Sequence, residues 1–159
     1  MRTWADASTL IALDACGELG LLKSLFDRVF ITEQVKLEVL AGRETAAMRE
    51  ALRDWIRVET VHGDLRRWRS LGLGDGEASL FLTPKEDRLL LDERPARTVA
   101  EAEGRVYVGV LGLILGAARA RRISRERGAE ILRRIVAGGF HLSTELYDDA
   151  LRELGSGAR

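Results

Sequence analysis

The sequence predicts an α/β domain whose central, mainly parallel sheet is flanked by helices. Three observations lead there. Short apolar runs alternate along the chain with longer stretches whose apolar residues recur at helical spacing. Capping residues, glycines and prolines fall at the joints of that alternation. The 159 residues, 46% hydrophobic and 31% charged, suffice for one real core and leave little room for a second.

Taken in order, Thr3-Trp4-Ala5 is the first strand, and Ser8 is placed to cap a helix through Leu10, Ile11 and Leu13. Gly17 breaks that helix, and Leu19 to Phe26 reads as another. Val29-Phe30-Ile31 is the second strand, after which Thr32 caps a helix carrying Val35, Leu37, Glu38 and Leu40. Glu44 to Ile56 is helical, with Ala47, Met48, Ala51, Leu52 and Trp55 at helical spacing. Val58 to Val61 is the third strand, and Asp64 to Leu73 is a charged helix or loop bearing Arg66, Arg67 and Arg69. The turn Leu71-Gly72-Leu73-Gly74-Asp75-Gly76 leads into a helix from Glu77 to Lys85, despite Pro84. Leu89-Leu90-Leu91 is a buried strand. Pro95 to Glu103 is a helix with proline in its first turn, and Gly104 stops it. Arg105 to Val108 is the last strand, and Gly109 to Ala120, Ser124 to Ala137 and Ser143 to Leu154 are closing helices. Residues 1–154 read as one domain, and the tail Gly155-Ser156-Gly157-Ala158-Arg159 as flexible.

Composition narrows the class of protein. The longest apolar run, Val106 to Ala118, is interrupted by Gly109, Gly112 and Gly116 and falls short of the roughly 18 residues of a membrane span. Cys16 is the single cysteine, which excludes an internal disulfide and suits a small core residue. The chain reaches Asp6 at once and lacks signal-peptide shape, so the cytoplasm is the expected compartment. Net charge is zero, from 25 basic and 25 acidic residues, and only Lys23, Lys36 and Lys85 are lysine. Arginine suits ion-paired surfaces and phosphate alike, so RNA binding would require the arginines to cluster on one face.

Four carboxylates stand beside apolar sequence. Asp6 and Asp92 each follow a strand, and in parallel sheets ligands gather beyond the carboxyl ends of the strands. Glu38 and Glu77 lie on helices able to reach the same edge. Four oxygen donors without histidine suit Mg²⁺ or Mn²⁺ and not zinc. The chemistry such a site implies is phosphodiester hydrolysis. Each acid also has a plainer reading: Asp6 as a helix cap, Glu38 as a solvated helix residue, Glu77 as a first-turn dipole partner and Asp92 as a turn residue. The run Gly72-x-Gly74-x-Gly76 lacks the Lys-Ser/Thr of a phosphate loop and reads as a helix-entry turn. His62 and His141 read as surface residues, and Trp4 and Trp55 as core or dimer contacts. Trp68, among Arg66, Arg67 and Arg69, is an RNA-contact candidate. Arg119, Arg121 and Arg122 read as a solvated helix end.

Several segments resemble the PIN domains, a superfamily of metal-dependent nucleases. Asp6-Ala7-Ser8-Thr9-Leu10-Ile11-Ala12-Leu13 is similar to their opening motif, and Val35-Lys36-Leu37-Glu38-Val39-Leu40 to the second. Gly74-Asp75-Gly76-Glu77-Ala78, Leu91-Asp92-Glu93-Arg94-Pro95-Ala96-Arg97 and Val108-Gly109-Val110-Leu111-Gly112-Leu113-Ile114 resemble motifs of one prokaryotic subfamily. The resemblance covers roughly residues 3 to 150 and implies a three-layer α/β fold. It implies that Asp6, Glu38, Glu77 and Asp92 hold Mg²⁺ or Mn²⁺ and act in catalysis. Ser8 would then be a hydroxyl near Asp6, and Glu93 an accessory acid. Arg94 and Arg97 would contact phosphate or pair with the acids, beside Arg66, Arg67 and Trp68 as RNA contacts. It further implies an endoribonuclease of the toxin kind, with a small antitoxin protein as partner. Val110 departs from the family, which often has threonine or serine there. That favours the alternative of a catalytically weak or inactive module binding RNA or protein. A metal-dependent phosphatase is a third reading, against which stands the lack of a D-x-D motif after the first strand. Leu142, Leu146, Tyr147 and Leu151 share a helix face, suited to a homodimer, to an antitoxin groove, or to packing on their own sheet.

Overall fold

The computed structural model describes residues 1–155. The elements run β1 (Thr3–Ala5), α1 (Ala7–Ala15), α2 (Gly20–Leu25), β2 (Val29–Thr32), α3 (Glu33–Ala41), α4 (Ala46–Asp54) and β3 (Ile56–Glu59). They continue with α5 (Arg66–Ser70), α6 (Asp75–Leu80), β4 (Arg88–Leu90), α7 (Arg94–Ala102), β5 (Tyr107–Val108), α8 (Val110–Arg119), α9 (Arg125–Ala137) and α10 (Thr144–Gly155).

All strand pairings are parallel and the order is β3-β2-β1-β4-β5. Trp4 at the centre of β1 stands opposite Phe30 on one side and Leu89 on the other. The central strands are largely apolar on both faces, as a sheet covered by helices requires: Ala5, Val29, Ile31, Leu89 and Leu90 are all fully buried. The expected α/β architecture with a parallel sheet is therefore present, and parallel pairing is complete where the sequence predicted a mainly parallel sheet. Around the sheet, α1 packs on α3 and α9, α3 on α6, and α8, α9 and α10 on one another.

Side-chain caps set several helix starts. Thr32, Thr45 and Ser124 each accept a hydrogen bond from the backbone N–H three residues on. The same chemistry corrects the expected cap of α1. Asp6, not Ser8, is the N-cap: its backbone is extended (φ −80°, ψ 167°) and its side chain accepts from the Thr9 amide. Ser8 lies inside the first turn.

Four other expectations shift. The third strand begins at Ile56 and not Val58, because Trp55 already closes α4 and the buried Ile56 pairs with Val29. The helix after the glycine turn starts at Asp75 and ends at Leu80, well before Lys85; the Thr83 hydroxyl turns back to the Leu80 carbonyl ahead of Pro84. The last strand is shortened to Tyr107–Val108. Arg105, expected within it, is buried with its guanidinium donating to the Thr83 hydroxyl and the Pro84 carbonyl. Gly155, expected in a flexible tail, closes α10; residues 156–159 lie outside the described residues. Among Leu142, Leu146, Tyr147 and Leu151, all but Leu146 pack against the core.

Candidate functional site

Strand order reverses its direction of growth between β1 and β4. From β1 the chain builds outward to β2 and β3, and β4 then crosses to the other side of β1. Diverging connections at such a point open a crevice beyond the strand ends. Asp6 follows β1 and Asp92 comes two residues after β4, so both acids sit at that crevice.

Asp6 is almost fully buried, at 1% exposure. Its Oδ1 accepts from the Thr9 amide at 2.8 Å and its Oδ2 from the Asp92 amide at 3.3 Å. Burial pushes its carboxyl up to about 7, and the negative charge of Asp92 adds to that, against the opposing hydrogen bonds from Thr9 and Asp92. Asp92 Oδ1 accepts from the Val110 amide at 2.9 Å, and Oδ2 from the Thr9 hydroxyl at 2.8 Å. Burial also raises the Asp92 carboxyl above the usual range, partly offset by those two bonds and by the charge of Arg97. The Val110 side chain itself is in the core, at 1% exposure. What reaches Asp92 at this position is a backbone N–H in the first turn of α8, which any residue but proline supplies.

The two glutamates arrive on α3 and α6, which touch. The Thr32 hydroxyl lies 2.6 Å from that of Ser79, joining the cap of α3 to α6. Glu38 Oε1 accepts from the Gly76 amide at 2.8 Å. A Cβ at Gly76 would run into the Glu38 carboxyl, so glycine is what lets that carboxylate lie against the Gly76 amide. Glu77 Oε2 accepts from the Gly74 amide at 3.3 Å, while its Oε1 is buried with no protein partner. Burial raises the Glu77 carboxyl, and the charges of Glu93 and Glu38 raise it further.

Asp6, Ser8, Glu38, Glu77 and Glu93 line one cavity of about 300 Å³. Asp92 faces a neighbouring cavity of about 450 Å³ with Ser8, Glu93, Phe140 and His141. The Ser8 hydroxyl, donating to Glu93 Oε1 at 3.3 Å, forms the partition between the two. Among the described residues, no three carboxylate, imidazole or thiol side chains stand close enough together to grip an ion. The donor chemistry nonetheless suits a hard divalent cation: all the convergent groups are oxygen acids, and one buried carboxylate oxygen lacks a donor.

The expected RNA contacts divide. Arg94 and Arg97 are exposed on the first turn of α7, next to Asp92 and Glu93. Arg66 pairs with Asp64 at 2.7 Å, and Arg67 with Glu103 at 2.5 Å. Trp68 is a correction. It is 7% exposed and stacks on Phe81 with ring centroids 5.0 Å apart, under the guanidinium of Arg67 at 4.4 Å. The helix turns the indole inward and its arginine neighbours outward, so the ring has no face left for a base.

Sequence reasoning missed Thr9, which bridges the two aspartates, and the Thr32–Ser79 clasp. It also missed the place of Phe140 and His141 beside Asp92. Thr9 had a signal, since it stands at N3 from Asp6, where a capping aspartate meets a backbone donor. The place of Phe140 and His141 had none, because it depends on how α9 docks against α1.

A family model described as a PIN domain matches residues 3–156. No curated protein and no solved structure matches the chain.

Proposed function

The chain belongs to the PIN-domain family, whose members are in general nucleases, and from that membership we propose that it is a metal-dependent endoribonuclease of the toxin kind. The observation that carries this reading is the convergence of Asp6, Glu38, Glu77 and Glu93 on one cavity at the switch point of the sheet, with Asp92 hydrogen-bonded to Asp6. Asp6, Glu38, Glu77 and Asp92 are the residues proposed to hold Mg²⁺ or Mn²⁺. Mg²⁺ commonly keeps several waters and is held by one or two carboxylates plus substrate phosphate, which suits acids that line a cavity without forming a tight cage. When bound, such an ion acidifies water and neutralises charge on phosphate oxygens.

The chain's own contribution is orientation. Thr9 and the Val110 amide fix both oxygens of Asp92, and the Thr9 and Asp92 amides fix those of Asp6. Gly76 holds Glu38, and Ser8 holds Glu93. Arg94 and Arg97, exposed beside the acids, supply cations for the RNA backbone. Leu37 and Leu40 lie exposed on the helix of Glu38 and offer apolar surface to a small antitoxin covering the site. Leu146, exposed on α10, is the apolar residue available to a homodimer contact there.

The test is calorimetric titration of Mn²⁺ into metal-free protein, wild type beside Asp6→Asn/Asp92→Asn, followed by cleavage of single-stranded RNA. Loss of both binding and cleavage in the folded double variant is expected. Full cleavage by the double variant would overturn the assignment. A second reading is a PIN-like module that binds RNA without cutting it. RNA binding that persists in wild type with no Mn²⁺ uptake and no cleavage would select it.

A further inference from the structure

The cavity on the far side of the Ser8–Glu93 partition has a composition unlike that of the acidic cavity. Besides Asp92 and Glu93 it is walled by Ile11, Phe140 and His141. Phe140 is half-buried and packs in part against the core, so its ring is anchored. It follows Gly139, whose φ of +102° turns the connection between α9 and α10 back toward α1. His141 is exposed at the rim. At about 450 Å³ the cavity is roomy enough for a nucleobase.

Its polar edge is selective in kind. Glu93 Oε1 accepts from the Ser8 hydroxyl, and among the described residues nothing donates to Oε2. A carboxylate with a free oxygen repels phosphate and accepts N–H groups. Of the four RNA bases, guanine alone presents two adjacent N–H donors, N1–H and the N2 amino group, to one carboxylate. An aromatic ring beside such an edge is the usual means of holding an unstacked base in single-stranded RNA.

We propose that this cavity binds the base of the nucleotide adjoining the scissile phosphate, stacked on Phe140 with Glu93 receiving its Watson–Crick edge, and that guanine is preferred. The proposal rests on the nuclease reading for its substrate. It adds a specificity site built by α1, the turn between β4 and α7, and the connection between α9 and α10. Ile11 and Ala15 also wall a third depression, with Val39 and Met48, so the two cavities share a wall on α1.

The experiment uses the two histidines of the chain, His62 and His141, as reporters. Guanosine and uridine, which lack phosphate, are titrated into the full-length protein while the imidazole C–H proton resonances are followed. The resonances are assigned with His141→Gln. Saturable shifts of His141 with guanosine, several-fold weaker with uridine and absent at His62, are expected. Phe140→Leu, which keeps the apolar packing and removes the π-face, is expected to weaken guanosine binding at least tenfold while the fold is retained. Cleavage of a uridine-rich RNA carrying one guanosine completes the test, with cuts expected beside the guanosine in wild type and scattered in Phe140→Leu. A saturable His141 shift without any cleavage would keep the base site and remove the nuclease reading. Cleavage without guanosine preference and without a His141 shift would remove the base site and keep the nuclease. Unaltered guanosine binding in Phe140→Leu would overturn the stacking assignment.

Discussion

Thr9 joins the two aspartates of the site: its amide donates to Asp6 Oδ1 and its hydroxyl to Asp92 Oδ2, both at 2.8 Å. One buried residue on the first turn of α1 thus orients acids that lie far apart in the chain. Thr9→Val keeps the shape and the amide but removes the hydroxyl. The variant is expected to fold, to keep Asp6 capped, and to bind Mn²⁺ about tenfold more weakly, the usual lower bound for losing an orienting partner of a metal ligand. Calorimetry beside wild type measures it; unchanged affinity would show that Asp92 needs no such orientation.

The burial of Asp6 has a consequence for stability. Its carboxyl is pushed up to about 7 in the fold, against about 3.9 in an unfolded chain. Between those values the native state keeps a proton that the unfolded state has released. Stability of the metal-free protein is therefore fully present below about pH 4 as far as this group is concerned, and falls as pH rises to about 7. Urea midpoints in the presence of a chelator should decline across that window, and Asp6→Asn should remove most of the decline. Glu77 and Asp92, also raised, act in the same direction and leave a residual slope. Added Mn²⁺ should stabilise most at the alkaline end, where the ligands are already deprotonated.

Gly76 supplies a third prediction. A methyl group there collides with the Glu38 carboxyl that its own amide holds. Gly76→Ala is expected to displace Glu38 and lower Mn²⁺ affinity and cleavage by an order of magnitude or so, since the ligand and its orienting donor are disturbed together. Circular dichroism should still report a folded protein. A variant with wild-type affinity would remove Glu38 from the metal set.

Trp68 supplies a fourth. Its ring is part of the core, stacked on Phe81. Trp68→Ala should destabilise the protein by about 3–5 kcal/mol, as large-to-small core substitutions do. Trp68→Phe, which keeps most of the buried surface, should retain the RNA affinity of wild type. Loss of RNA affinity in a stable Trp68→Phe protein would restore the indole as a base contact.

Much of this architecture is legible in the residues. Asp6 and Asp92 can be placed at one sheet edge because short apolar runs precede both, and strand ends in parallel sheets all point one way. Glu38 and Glu77 follow from helix-borne motifs. The arginines beside Trp68 mark a surface segment, yet the indole is buried, because a short helix turns adjacent side chains about 100° apart. At position 110 the sequence shows only a side chain without a hydroxyl, whereas Asp92 meets the backbone amide there. The wall formed by Phe140 and His141 arises from tertiary docking, to which local propensity is blind.

The pairing of β1 with β4 also fixes when the site comes into being. Asp6 and Asp92 are separated by 86 positions, and β2 and β3 lie in the chain between the strands that precede them. During translation the first acid leaves the ribosome long before its counterpart exists. The crevice cannot form on a nascent chain that stops short of β4, and its closure waits on long-range contacts, which form slowly. On the proposed activity, a chain still in synthesis is inactive until β4 has been made.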